Sequence, residues 1–103
     1  MAKDEIRNEM IRHLAERLET FWAEHAEVTT NDPWGGDVIF TIGSKEIATA
    51  NDRILRSAEE RLVLPLLDDH SLDPAFLDRF VEPWMKEAQA YVEGEANAVA
   101  AEL

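Results

Sequence analysis

Apolar residues recur at helical spacing over the first quarter of the chain. At 100° per residue, Met10, Leu14, Leu18, Phe21, Trp22 and His25 fall on one stripe with Ile11 at its edge. That stripe predicts an amphipathic helix from about Lys3 to His25. On its outer side Arg12 stands three residues after Glu9 and four before Glu16, spacings that let opposite charges meet across a helical turn.

The pattern then changes. Glu27, Val28, Thr29 and Thr30 form a largely β-branched stretch, and residues 31–37 are dense in turn formers. Residues 38–42 (VIFTI) are the best strand in the chain. Residues 43–64 admit two readings. In one, Gly43 and Ser44 make a two-residue hairpin turn, with residues 45–50 as a return strand pairing Phe40 with Ile47. In the other, Ser44 caps a helix reaching Leu64, because Ile47, Ile54, Leu55, Ala58 and Leu62 recur at helical spacing. The hairpin reading makes Asn51 a helix N-cap, whereas the long helix places it in an apolar stripe. The hairpin is therefore preferred, with a helix from Asp52 to Leu64.

Pro65 ends that helix, and residues 68–72 form a connector. Asp73 is the expected cap of a further helix with Pro74 at its first position. Its apolar arc is broad, holding Phe76, Leu77, Phe80, Val81, Trp84, Ala88, Tyr91 and Val92. Pro83 lies inside this run and either kinks the helix or starts a new one. Residues 94–103, rich in Ala and Glu, are expected to fray. The fold expected is one α+β domain over residues 1–103: a long N-terminal helix, a small antiparallel β hairpin or meander, then two or three helices. An all-α domain is the runner-up.

Composition narrows the function classes. The chain has 103 residues, no cysteine and only four Gly and four Pro, with 46% apolar residues, which favours a folded domain over disorder. Without cysteine there is no disulfide framework, no thiolate nucleophile and no cysteine-based zinc or iron–sulfur site. No apolar run approaches the roughly 20 residues that span a bilayer, so a cytoplasmic location is expected, with no membrane partner.

Charge is the most informative feature. The formal net charge is −12, and the excess lies in three stretches without a single Lys or Arg. Residues 18–44 carry Glu19, Glu24, Glu27, Asp32 and Asp37; residues 62–78 carry Asp68, Asp69, Asp73 and Asp78; residues 87–103 carry Glu87, Glu93, Glu95 and Glu102. Single-signed patches repel nucleic acid and attract basic partners. The cluster of Lys45, Arg53, Arg56 and Arg61 is offset by Glu46, Asp52, Glu59 and Glu60, so direct nucleic-acid binding is not expected.

Catalytic motifs are missing. Glu9, His13 and Glu16 share a helix flank with metal-ligand types, but Arg12 and Arg17 stand among them and no second ligand helix accompanies them. Asp68, Asp69, His70 and Asp73 are dense in ligand types, yet lack the alternation, central Gly and distal Glu of a calcium loop. Ser44, Ser57 and Ser71 have no nucleophile-elbow context, and Gly35-Gly36 does not join a strand to a helix as a phosphate loop does. Neither an enzyme nor a cofactor or metal site is expected. Among the three tryptophans, Trp22 and Trp84 read as core. Trp34, between Pro33 and Gly35, is the candidate interface anchor.

These features predict a small non-enzymatic protein that binds a basic macromolecular surface, plausible as an inhibitor occupying a nucleic-acid-binding site. Small acidic proteins of phages and mobile elements that block restriction or CRISPR complexes use this physics, and the chain is similar to them in size and charge alone. The partner-binding residues expected are Glu24, Glu27, Asp32, Trp34, Asp37, Asp68, Asp69, Asp73 and Asp78. The second reading is a structural or adaptor subunit that homodimerises through the apolar arc of residues 76–92.

Overall fold

The computed structural model describes residues 2–31 and 35–102. It is mostly helical, with three helices and a two-stranded antiparallel sheet. Helix α1 spans Lys3–His25, strands β1 and β2 span Glu27–Asn31 and Asp37–Thr41, α2 spans Ser44–Arg61 and α3 spans Pro74–Glu102. Two short 3₁₀ turns, Leu64–Leu66 and Asp69–Leu72, connect α2 to α3.

Helix α1 follows its hydrophobic stripe. Ile6, Met10, Leu14, Leu18, Phe21 and Trp22 are buried on one face, Ile6 extending the stripe one turn beyond its expected start. His25 is half-buried at the end of that face. It stacks on Phe21, with ring centroids 4.2 Å apart, and its Nδ1 lies 3.0 Å from the Phe21 carbonyl. Because a carbonyl oxygen only accepts, Nδ1 carries the proton in this contact.

The β element pairs differently from expectation. Residues 45–50 are helix, not a return strand, and Phe40 pairs with Val28 rather than Ile47. The partner of β2 is the β-branched stretch upstream, in the register Glu27 with Thr41 through Asn31 with Asp37. Within the segment joining the strands, Gly35 takes φ +96°, a conformation that costs glycine little. The hairpin is closed at its base where the Ile42 amide donates to the Ala26 carbonyl (2.8 Å). Val28 and Ile42 point into the core.

Helix α2 then starts immediately. The Ile47 amide donates to the Gly43 carbonyl at 3.1 Å, so Gly43 rather than Ser44 holds the N-cap position. Glu46, in the first turn, folds its carboxylate into the space a side chain on Gly43 would fill. A negative charge there faces the partial positive end of the helix. Asn51 is not a cap. It sits half-buried inside α2 and accepts a hydrogen bond from the Trp22 indole Nε1 at 3.1 Å. That bond satisfies a polar group in an otherwise apolar interface and removes the objection to the long helix.

The connector is tied down locally. Asp68 accepts from the His70 amide (2.9 Å), while the Ser71 hydroxyl accepts from the Asp68 amide (3.1 Å). This reciprocal cap buries Ser71. At the next junction the Asp73 carbonyl accepts from the Leu77 amide at 2.9 Å, starting α3 at Pro74. Helix α3 runs unbroken through Pro83 to Glu102. Pro83 and Arg79 are exposed, so the Arg79 carbonyl that Pro83 leaves without an amide donor lies on a solvated face.

Side-chain contacts set the helix directions. Trp22 meets Tyr91 edge-on at 5.9 Å and Arg17 meets Asp78, so α1 and α3 run parallel. Arg7 lies 4.0 Å from Glu59 and Trp22 bonds Asn51, so α2 runs antiparallel to α1. The main core joins α1, α2, α3 and Val28, with Ala58 and Ala88 wholly buried where helices approach closely. A smaller core of Ile6, Met10 and Leu67 lies under the 3₁₀ turns. Helix α3 touches α1, α2, β1 and the second 3₁₀ turn. Its broad apolar arc is spent on these contacts: Val81, Trp84, Ala88 and Val92 are buried, and Phe76 alone of the arc is exposed. The buried part of the arc is thus covered within one chain.

The resulting body is elongated, 58 × 23 × 17 Å between Cα extremes. Its radius of gyration is 16.8 Å, against about 13 Å for a spherical domain of this length.

Candidate functional site

Two of the three acid-only stretches, residues 18–44 and 87–103, meet where the end of α1 packs beside the C-terminal half of α3. Parallel α1 and α3 deliver their C-terminal ends to the same side, where Val28 and Val92 share a core. Glu24 and Glu27 are exposed beside the end of α1, and Glu93 is exposed along the last turns of α3. None of these three carboxylates makes an ion pair with a described residue. The C-terminus of α1 adds a partial negative charge of about half a unit beside Glu24 and Glu27, so this helix end reinforces those side chains instead of offsetting them.

Tyr91 precedes the core residue Val92 on α3. Burial raises its phenol above the ordinary 10.0, and the charges of Glu95 and Glu46 raise it further, against an opposing effect of Arg53. Lys45 and Arg53 lie on the α2 side of Tyr91, so the acidic surface is the α1–α3 side of this end.

The opposite end is acidic in sequence, but most of its carboxylates have partners. Asp68 is the cap described above, and its carboxylate is engaged with backbone. Asp73 approaches the His70 ring (3.3 Å) and Asp78 approaches Arg17 (3.4 Å). Asp69 is exposed and makes no hydrogen bond or ion pair among the described residues. The expected partner-binding set therefore divides between two ends of the molecule. Glu24 and Glu27 stand at one, Asp68, Asp69, Asp73 and Asp78 at the other, and Asp37 begins β2 in the hairpin. Asp32 and Trp34 lie outside the described residues. Glu93, which no local pattern singles out, joins Glu24 and Glu27 only through the parallel packing of α1 and α3.

Of the candidate metal ligands on α1, Glu9 and Glu16 are taken up by Arg12, whereas His13 Nε2 is buried with no hydrogen-bond partner among the described residues. Arg12 donates to both Glu9 and Glu16, which raises its pKa above the ordinary guanidinium value, chiefly through the Glu9 hydrogen bond. Among the described residues, no three His, Asp or Glu side chains converge to hold a metal ion. No described helix is long and apolar enough to cross a membrane. No family model, curated protein or solved structure matches the chain.

Proposed function

We propose that the chain binds a basic, nucleic-acid-binding surface of a partner protein and blocks it as a rigid acidic rod, without catalysis of its own. The observation that carries this reading is that Glu24 and Glu27, at the end of α1, and Glu93, next to the core residue Val92 of α3, are exposed with no cationic partner among the described residues. Carboxylates fixed on helices present charge at defined spacing, as duplex phosphates do. The 58 Å length corresponds to about 17 base-pair steps at 3.4 Å each. Asp32, Trp34 and Asp37 are further partner-binding residues of this reading, with Trp34 as its apolar anchor. Asp69 with Asp73 and Asp78 forms a second contact at the far end, and Asp68 acts through its cap. A cytoplasmic location belongs to the same reading.

Affinity capture from a lysate of the encoding organism, with salt-graded elution, tests this. Electrostatic attraction between exposed groups is screened over about 10 Å at 0.1 M salt, so the captured partner should elute at moderate ionic strength. Glu24→Lys with Glu27→Lys should slow association about tenfold and leave dissociation nearly unchanged. Binding insensitive to both salt and this double variant would overturn the proposal.

A further inference from the structure

The described residues include four exposed large hydrophobic side chains, and three of them line one groove. Val63, Leu66 and Phe76 are 53%, 77% and 42% exposed, and they border a cavity of about 410 Å³ between the first 3₁₀ turn and the start of α3. Met10 reaches its floor from α1. That volume lies within the roughly 300–1,000 Å³ range of ligand-binding clefts.

Its charge is opposite to that of the molecule. The only charged residues lining it are Arg61 and Arg79. Arg7, Arg12, Arg17, Arg56 and Lys86 are each paired with a carboxylate of this chain, whereas Arg61 and Arg79, like Lys3, Lys45 and Arg53, make no ion pair with a described residue. Each instead lies over an aromatic ring: Arg61 is 5.0 Å from the Trp84 centroid and Arg79 is 5.9 Å from that of Phe76. Stacking of this kind holds a guanidinium in place; Arg79 Nε also donates to the Ala75 carbonyl (3.4 Å), which leaves its two terminal amino groups as the available donors. A chain of net charge −12 thus keeps two cations, unpaired among the described residues, beside its most exposed apolar surface.

We propose that this groove docks a peptide segment of a partner protein in which large apolar side chains are flanked by Asp or Glu. The apolar side chains cover Val63, Leu66 and Phe76, and the carboxylates take the free edges of Arg61 and Arg79, forming charge-assisted hydrogen bonds. A second copy of the chain is the poorer complement, because it brings a further −12 towards this one. The docking stands apart from the acidic end, and failure of either reading leaves the other in place.

Selection of a displayed dodecapeptide library on the full chain tests the proposal. Enriched peptides should combine aromatic or aliphatic residues with Asp or Glu. A synthesised winner should bind Leu66→Asp and Arg79→Ala at least about tenfold more weakly than the native chain. Leu66 is so exposed that Leu66→Asp should keep the native melting curve, so it remains informative if Arg79→Ala is destabilised. No enrichment, enrichment of basic peptides, or equal binding to both variants would overturn the proposal. Self-association in sedimentation that Leu66→Asp abolishes would assign the groove to a second copy, and displacement of the peptide by laurate alone would assign it to anionic amphiphiles. Both results also contradict it.

Discussion

A single side-chain contact decides how far α2 extends towards its N-terminus. Asn51 is tolerated inside α2 because the Trp22 indole donates to it. Asn51→Ala leaves the indole of the buried Trp22 unpaired and should cost about 1–3 kcal/mol in chemical denaturation, with the helical signal retained. Tyr91 makes a second residue-level prediction. It is the only tyrosine, so absorbance titration reads it without ambiguity. Its phenol should ionise above 10.0, and Glu95→Gln should move it back towards that value. Linkage gives the sign for stability. The folded state holds the phenolic proton more tightly than the unfolded state, so stability is unaffected well below pH 10 and falls as pH rises past the unfolded value. A Tyr91 that titrates at or below 10.0 would contradict the acidic, partly buried setting assigned to it.

At the scale of elements, close approach of the helices rests on small residues. Ala58 and Ala88 are 0% exposed, and Ala50 is 2%. Ala58→Leu forces extra volume into this contact and should destabilise by about 1–3 kcal/mol, measured by thermal or denaturant melting. Amide exchange should protect residues 44–61 as one continuous helix and link Phe40 with Val28 across the hairpin. Protection linking Phe40 with Ile47 would restore the alternative pairing. Helix α1, strand β2 and the start of α3 are legible in the sequence because hydrophobic period and capping are local signals. The position of the second strand is not, because the deciding contact joins Asn51 to a tryptophan 29 residues away, which no periodicity reveals. The β-branched residues 27–30 carry the correct strand signal, before the turn and not after it. Asp68 reads as a free acid in a charge count, although Asp68 and Ser71 stand at the spacing of a reciprocal cap, a local signal that is present.

For the whole molecule, shape and charge act together. The order of residues shows how the carboxylates cluster along the chain, but not that parallel α1 and α3 bring two clusters to one end. Nor does it show that the third cluster is drawn into caps and contacts. Small-angle scattering should give a radius of gyration near 16.8 Å, and a value near 13 Å would contradict the elongated packing. A net charge of −12 also implies self-repulsion in the folded body. Moderate added salt should therefore raise the melting temperature rather than lower it.

The most direct test of the functional account is competition on the captured partner. Its affinity for duplex DNA or RNA should be titrated in the presence of increasing chain. The account predicts that the apparent Kd for nucleic acid rises in proportion to chain concentration, and that Glu24→Lys with Glu27→Lys removes most of this effect. A partner that binds the chain and nucleic acid together, with neither affinity altered, would contradict it.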